Sequence, residues 1–197
     1  MLKKTHCIVL DAMGVIFRAA DDVAELLIPF ITEAGGNVDA KTIASAYFDA
    51  SLGMINADEF WNKVHLDPSL EDDYLSRHSL VPGVEDFLRN AGLFRIPVWC
   101  LSNDIGRWSA KLRTMFKISG LLAGAVISSE ARVRKPDRAI YQCLLDRSGY
   151  KADELLFIDD RIRNVEAAMA MGIPSVQFTM EPGFQGLIKQ VFGNAAS

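Results

Sequence analysis

Five short apolar runs constrain the fold of this chain more than any other feature of its sequence. Continuous runs of this length, rich in Val, Ile and Phe, are typical of strands that are buried on both faces. Between the later runs, apolar residues recur three and four positions apart, which indicates helices. This alternation predicts an α/β fold with a doubly wound parallel sheet. The five predicted strands span residues 6–10, 97–101, 124–128, 154–158 and 174–178.

Residues 17–80 interrupt this alternation, because they contain several helical patterns in succession and no convincing strand. Three apolar stripes with helical spacing follow one another there, and the second and third begin behind Asp39 and Asn56. Both residue types favour the position just before a helix. We therefore predict an all-helical unit of residues 17–80, inserted into an α/β core formed by residues 1–16 and 81–197.

The charge balance and the lengths of the apolar runs limit the partners of this protein. Lysine and arginine number 21, aspartate and glutamate number 25, and the formal net charge is −4. Coating a nucleic acid needs a basic surface, so we expect no nucleic-acid partner. The sequence contains no stretch of 18 or more apolar residues. We therefore expect no membrane-spanning helix, no membrane partner and a cytoplasmic location.

Polar side chains follow three of the predicted strands. The carboxyl ends of parallel strands share one edge of a sheet, where ligands bind in open α/β folds. Several carboxylates, one ammonium group, a hydroxyl and an amide would converge there. The mutual repulsion of the carboxylates requires a cation, and ligands that are all oxygen favour Mg²⁺. These candidates are Asp11 after the first strand, Ser102 and Asn103 after the second, Asp159 and Asp160 after the fourth, and Lys135 before the helix that starts at Pro136.

The order of these residues resembles the haloacid dehalogenase superfamily. The resemblance covers essentially the whole chain, and the inserted helical unit is similar to the helical cap of that family. It implies a Rossmann-like hydrolase core that acts on a small phosphorylated metabolite. The matching segments read Cys-Ile-Val-Leu-Asp11-Ala-Met-Gly14-Val, Leu-Ser102-Asn103, Arg-Lys135-Pro136-Asp137 and Phe-Ile-Asp159-Asp160-Arg-Ile-Arg-Asn164-Val.

The resemblance implies a nucleophile and a metal site among the acidic residues. Asp11 would attack phosphorus in line and form an aspartyl-phosphate, which divides the displacement into two steps. Mg²⁺ would be held by the carboxylates of Asp11, Asp159 and Asp160 and by the backbone carbonyl of Met13. The cation would screen the nucleophile from the phosphate and stabilise the developing charge.

The remaining motif residues would bind the phosphate or support the site. Ser102 and Asn103 would donate hydrogen bonds to the phosphoryl oxygens. Lys135 would neutralise both the phosphate and the nucleophile. Asn164 would orient its loop behind the residues that contact the metal.

Met13 departs from the family pattern, because phosphatases of the family usually carry a second Asp at that position. That Asp protonates the leaving alcohol and later activates water, and a thioether cannot carry a proton at neutral pH. General acid–base catalysis contributes about 10²–10⁴ in rate. We therefore expect reduced activity on alkyl phosphates and better activity on aryl or acyl phosphates, whose leaving groups need no proton.

Other interpretations stay open at this stage. Dehalogenases and phosphonatases of the superfamily also lack the second Asp, so cleavage of a C–X or C–P bond is an alternative. Dehalogenases work without a metal, however, and the retained acidic pair would then only repel the nucleophile. A non-catalytic phosphate-ligand binder or regulatory protein is a further alternative.

Two acidic residues are candidates for the missing acid. Asp104 follows the second strand and Glu130 follows the third, although loop capping or solvation explains both better. We interpret the adjacent pair Asp21 and Asp22 as part of a solvated helix face.

Overall fold

The computed structural model describes residues 5–36 and 38–193, and its centre is a parallel sheet of five strands. The strand order β3-β2-β1-β4-β5 places the first strand in the middle. All five predicted strands are confirmed, and each end shifts by one residue at most. The strands are β1 (Cys7–Leu10), β2 (Val98–Ser102), β3 (Gly124–Ile127), β4 (Leu155–Asp159) and β5 (Ser175–Gln177).

Helices cover both faces of this sheet, so the predicted doubly wound fold is confirmed. Alternate residues of a strand point to opposite faces, and this divides the buried side chains into two clusters. Ile8 of β1 belongs to the cluster under α5, α6 and α10, whereas Val9 belongs to the cluster under α8 and α9. The core helices are α5 (Val84–Leu93), α6 (Gly106–Met115), α7 (Ser128–Ala131), α8 (Arg138–Ser148), α9 (Ile162–Ala170) and α10 (Gly183–Phe192).

The segment between β1 and α5 is helical, as its sequence pattern predicts. A π-helical turn at Val23–Leu27 leads directly into the first α-helix. The exact limits of the inserted unit, placed at residues 17 and 80, stay a prediction. The α-helices of this segment are α1 (Ile28–Glu33), α2 (Ala40–Ser51), α3 (Ala57–Lys63) and α4 (Glu71–Leu75).

Side chains named by the sequence pattern cap two of these helices. Asp39 accepts a hydrogen bond from the backbone N–H of Thr42 at the start of α2. Asn56 and Glu59 form a reciprocal capping box at the start of α3. Such caps satisfy backbone N–H groups that have no partner within the helix.

An aromatic cluster joins the helical segment to the core. Trp108 of α6 is buried, and its ring centroid lies 5.0 Å from that of Tyr74 and 5.1 Å from that of Phe60. Trp61 and Tyr47 complete the cluster, at 5.5 Å and 6.1 Å from Trp108. Because four of these five rings belong to the inserted segment, the cluster fixes its position over the carboxyl end of the sheet. Among the described residues, no helix has the length and apolar character needed to cross a membrane.

Candidate active site

The parallel register brings three of the predicted residues to one edge of the sheet. Leu10 of β1 pairs with Ile158 of β4 and with Cys100 of β2. The next residues along β1 and β4, Asp11 and Asp159, therefore lie side by side at the carboxyl edge of the sheet. Ser102 ends β2 at the same edge.

Lys135 joins the two buried carboxylates. Its Nζ lies 2.7 Å from Asp11 Oδ1 and 2.7 Å from Asp159 Oδ2. It also donates a hydrogen bond of 2.8 Å to the carbonyl oxygen of Leu101. Burial alone would lower the pKa of Lys135, but the two carboxylates outweigh it and raise that pKa. The ammonium group is therefore charged and balances part of the acidic charge around it.

Asp11 and Asp159 differ in how strongly the protein stabilises their ionised forms. Burial and the neighbouring Asp159 raise the pKa of Asp11 well above its ordinary value, against the attraction of Lys135. Burial also acts to raise the pKa of Asp159, but hydrogen bonds and the charge of Lys135 lower it overall. The surroundings thus favour the ionised form more strongly at Asp159 than at Asp11. A nucleophilic Asp11 needs further positive charge beside it.

A network of donors holds the Asp159 carboxylate in place. Asn164 Nδ2 lies 3.0 Å from each of its oxygens, and the backbone N–H of Arg161 donates to Oδ1 at 2.8 Å. Tyr141 in turn donates a hydrogen bond of 2.9 Å to the backbone carbonyl of Asn164. Asn164 therefore supports the Asp159 carboxylate from behind, and its role at a metal site stays a prediction.

The three acidic residues form a cluster with the donor set of a hard cation. One carboxylate oxygen from each of Asp11, Asp159 and Asp160 lies within 4.8 Å of the others. Within the described ranges, Asp160 Oδ1 is buried and has no hydrogen-bond partner. An all-oxygen site with an unpartnered carboxylate oxygen fits Mg²⁺.

The backbone after β1 leaves room for this cluster. Gly14 has a φ of +78°, and a Cβ atom there would lie 2.6 Å from the carboxyl carbon of Asp160. Only glycine fits this position without moving the carboxylate. Met13 is buried in the same turn, and the role of its carbonyl oxygen as a metal ligand stays a prediction.

Ser102 and Asn103 lie beside the acidic cluster, in different environments. Ser102 Oγ is buried and has no hydrogen-bond partner among the described residues. The Asn103 side chain donates to the carbonyl of Lys135 at 3.0 Å and accepts from its backbone N–H at 2.8 Å. Ser102 thus offers a free hydroxyl to a ligand, while Asn103 holds the loop that carries Lys135. The expected contact of Asn103 with phosphate stays a prediction.

A cavity of about 310 Å³ lies over these residues and separates them from the helical segment. Its volume suits a small molecule. The core contributes the carboxylate of Asp11, the hydroxyl of Ser102 and the ammonium group of Lys135 to its wall. The side chains that close it are Asp22, Tyr47 and Phe48 from the helical segment and Arg134 and Arg161 from core loops.

The interpretation of Asp21 and Asp22 as one solvated face is wrong. Both residues line the cavity, but Asp22 is only 6% exposed whereas Asp21 is exposed to solvent. Asp22 is the residue just before the π-helical turn and Asp21 precedes it, so the two neighbours do not share one helix face. No signal in the sequence distinguished the buried member of the pair from the exposed one.

Arg134 is a second cavity residue that the motif analysis did not single out. Its guanidinium carbon lies 5.0 Å from the ring centroid of Phe48 and 5.9 Å from that of Tyr47. Its Nη1 is buried without a hydrogen-bond partner within residues 5–36 and 38–193. By contrast, neither Asp104 nor Glu130 is among the side chains that line this cavity.

Comparison with known proteins supports the family resemblance. The family model of haloacid dehalogenase-like hydrolases matches residues 5–172. A sesquiterpene phosphatase of Aspergillus oryzae is 35% identical over 84 residues, which are 43% of this chain and 43% of that protein. A phosphoglycolate phosphatase of Yersinia pestis is 29% identical over 100 residues, which are 51% of this chain and 43% of that protein. The alignments thus span less than half the length of these two relatives.

Solved structures share the fold over nearly the whole chain. A HAD family enzyme from Bacteroides thetaiotaomicron aligns with a TM-score of 0.81 at 18% identity, covering 94% of this chain and 99% of that one. The same enzyme was crystallised with magnesium and inorganic phosphate. An L-2-haloacid dehalogenase from Xanthobacter autotrophicus aligns with a TM-score of 0.64 at 17% identity, covering 98% of this chain and 84% of that one.

The fold and the acidic cluster at the carboxyl edge of the sheet define a class of α/β hydrolases with an inserted helical segment. Because the family model covers most of the sequence, this chain belongs to the haloacid dehalogenase-like hydrolases.

Proposed function

We propose that this protein is a Mg²⁺-dependent phosphatase of small phosphate monoesters that reacts through an aspartyl-phosphate on Asp11. The observation that carries the proposal is the position of Lys135, whose ammonium touches both Asp11 and Asp159 beneath the cavity. This arrangement places positive charge beside a carboxylate nucleophile, which suits an anionic substrate.

The relatives support a phosphate substrate. Two of them are named as phosphatases, and a structure with the same fold was obtained with magnesium and inorganic phosphate. The unpartnered oxygen of Asp160 adds a reason from this chain itself, since a dehalogenase has no use for a metal ligand there.

In the first step, an oxygen of Asp11 attacks phosphorus, and the bond from phosphorus to the leaving oxygen breaks. Lys135 and Ser102 hold the phosphoryl group, through the charge of the ammonium and a hydrogen bond from Oγ. In the second step, water attacks phosphorus and releases Asp11. A bound Mg²⁺, held by Asp11, Asp159, Asp160 and the Met13 carbonyl, supplies charge neutralisation between the nucleophile and the phosphate.

Met13 limits this chemistry, because its side chain exchanges no proton with the leaving group. We propose that turnover of alkyl phosphates is therefore slower than it would be with an Asp at this position. Aryl and acyl phosphates are better substrates, since their leaving groups depart as anions.

The test is a broad substrate screen, with and without Mg²⁺, on wild type and Asp11→Asn together. We expect Mg²⁺-dependent release of phosphate by the wild type and none by Asp11→Asn, although the variant still folds by circular dichroism. Binding of phosphate or vanadate without any turnover would instead show a phosphate-ligand binder. Release of chloride from 2-haloacids without metal would show a dehalogenase.

A further inference from the structure

The cavity contains a carboxyl group that the proposed mechanism does not use. Asp22 belongs to the helical segment, follows the nucleophile by 11 positions, and lines the cavity together with Asp11 and Met13. Within residues 5–36 and 38–193 it takes part in no ion pair of the structure. A buried carboxyl that forms no ion pair is costly to ionise, so its presence in the wall of the cavity that Asp11 also lines requires an explanation.

We propose that Asp22 is the acid–base catalyst of this protein, and that it performs from the helical segment the proton transfers that Met13 cannot perform. This inference rests on the proposed phosphatase function. It names the residue that exchanges a proton with the leaving group and with water.

The contact of Asp22 with Tyr47 is consistent with a protonated carboxyl. The Tyr47 hydroxyl lies 3.2 Å from the backbone oxygen of Asn103 and 3.5 Å from Asp22 Oδ2. A phenol has one proton, and the Asn103 carbonyl is the closer acceptor. The phenol oxygen is then free to accept a hydrogen bond from a protonated Asp22.

Charged groups around Asp22 set its acidity. Burial and the Asp21 carboxylate raise the pKa of Asp22 to about 6, against smaller effects of the Val23 backbone N–H and of Arg161. An acid of this strength exchanges protons efficiently near neutral pH. The other titratable groups that face it are Arg134 and Asp104 from core loops and Tyr47 and Tyr74 from the helical segment.

Asp22 loses one proton in the first step and regains one in the second. As the Asp11 oxygen bonds to phosphorus, the leaving alkoxide takes the proton of Asp22 and departs as an alcohol. In the second step, the Asp22 carboxylate takes a proton from water as the water oxygen attacks phosphorus. The bond from phosphorus to Asp11 breaks, inorganic phosphate leaves, and Asp22 is protonated again.

The test compares Asp22→Asn with wild type on glycerol 2-phosphate, an alkyl ester, and on p-nitrophenyl phosphate, an aryl ester. We expect the variant to lose about tenfold or more in kcat on the alkyl ester and less than about threefold on the aryl ester. Glu130→Gln is the control, because it removes a carboxyl that also follows a strand at this edge of the sheet but does not line the cavity. We expect it to leave the ratio of the two rates unchanged.

A pH profile separates a proton-transfer role from a structural one. The ratio of the wild-type rate to the Asp22→Asn rate on the alkyl ester cancels the ionisation of the substrate. We expect this ratio to fall as pH rises through about 6, because the acid is then ionised. Introducing Met13→Asp into Asp22→Asn should restore the alkyl-ester activity.

The outcomes distinguish this inference from the proposed function. A wild type that releases phosphate from neither ester overturns the proposed function, and the role of Asp22 with it. An active wild type overturns the role of Asp22 alone if Asp22→Asn loses equal activity on both esters or none. The role of Asp22 is also overturned if the ratio of the wild-type rate to the Asp22→Asn rate does not change with pH. A failure of Met13→Asp to restore the activity of Asp22→Asn overturns it as well.

Discussion

At the scale of single residues, the site depends on how one lysine is shared. Lys135 contacts two carboxylates and one carbonyl, and it is buried. Its charge stabilises Asp159 as an anion while Asp11 keeps a raised pKa. The pKa values of the two acids are therefore shifted in opposite directions, although the residues lie at the ends of adjacent strands. Asp11, whose pKa is raised, is the one that gains most from further positive charge beside it.

An acid placed at position 13 tests whether Met13 limits the rate at which alkyl phosphates are hydrolysed. In the Asp22→Asn background, which lacks the proposed acid, Met13→Asp should raise Mg²⁺-dependent hydrolysis of an alkyl phosphate by at least about tenfold, because a carboxyl group is again present near Asp11. The measurement is kcat on glycerol 2-phosphate and on p-nitrophenyl phosphate, and we expect little gain on the second ester. If a folded variant gains no activity on either ester, the missing acid at position 13 does not explain slow hydrolysis of alkyl phosphates.

Asn164 is the residue through which the metal site can be weakened indirectly. It donates to both oxygens of Asp159, so Asn164→Ala should lower the affinity for Mg²⁺ by about 10–100-fold. Titration of activity with Mg²⁺ and calorimetry of Mg²⁺ binding both measure this effect. Gln177→Ala is the control, since Gln177 bonds the backbone oxygen of Asp160 and not its carboxylate. Equal Mg²⁺ affinity in both variants would contradict the role of Asn164.

At the scale of elements, one buried carboxylate joins α4 to α6. Glu71 is 2% exposed, and its Oε2 accepts hydrogen bonds of 2.6 Å from Arg107 Nη2 and from Trp108 Nε1. Trp61 donates to the same oxygen at 3.3 Å, and Lys111 lies 2.8 Å from Oε1. Trp61 belongs to the helical segment, whereas the other three donors belong to α6 of the core. The position of the helical segment therefore depends on this carboxylate.

Glu71→Gln should destabilise the protein by about 2–4 kcal/mol, because Arg107 and Lys111 lose their buried counter-charge and one acceptor oxygen is replaced by an NH₂ donor that faces other donors. Chemical unfolding at neutral pH measures the loss. Asp72→Asn is the matched control, since the pair of Asp72 with Lys111 is exposed and contributes at most about 1 kcal/mol. Similar losses in the two variants would contradict the special role of Glu71.

The same contact predicts how stability depends on pH. Burial acts to raise the pKa of Glu71, but hydrogen bonds from Arg107 and Lys111 outweigh it and lower that pKa below its ordinary value of 4.5. The contribution of Glu71 is therefore complete above pH 4.5 and is lost as pH falls through the pKa of the folded state. The difference in melting temperature between wild type and Glu71→Gln should shrink below pH 4.5. A constant difference would show that the charge is not involved.

At the scale of the whole molecule, the cavity lies between the helical segment and the edge of the sheet. A ligand that contacts both sides stabilises the folded protein through binding. Mg²⁺ with inorganic phosphate at about 100 times its Kd should add about 2.7 kcal/mol, or roughly 5–10 °C in melting temperature for a chain of this length. Ser102→Ala should show a smaller shift at the same concentrations, because the free hydroxyl is lost. Equal shifts would mean that phosphate binds elsewhere.

The parallel sheet and the side chains at its carboxyl edge could be predicted without coordinates, because both depend on patterns that are local in the sequence. Strands buried on both faces need continuous apolar runs, and parallel strands place their carboxyl ends at one edge. Asp11 and Asp159 follow from this rule, whereas Lys135 was predicted from its position before a helix and from the family resemblance. The structure brings the ammonium of Lys135 within hydrogen-bond distance of both carboxylates.

The positions of Asp22 and Arg134 in the cavity wall could not be predicted in this way. Their surroundings depend on how the helical segment rotates and where it lies over the sheet, and aromatic contacts distant in sequence decide both. The sequence by itself determined the parallel sheet and the set of groups at its edge, since burial and strand direction act locally along the chain. Only the tertiary structure decided which acid of the adjacent pair Asp21 and Asp22 is buried in the cavity wall, because that choice depends on packing between segments far apart in the chain.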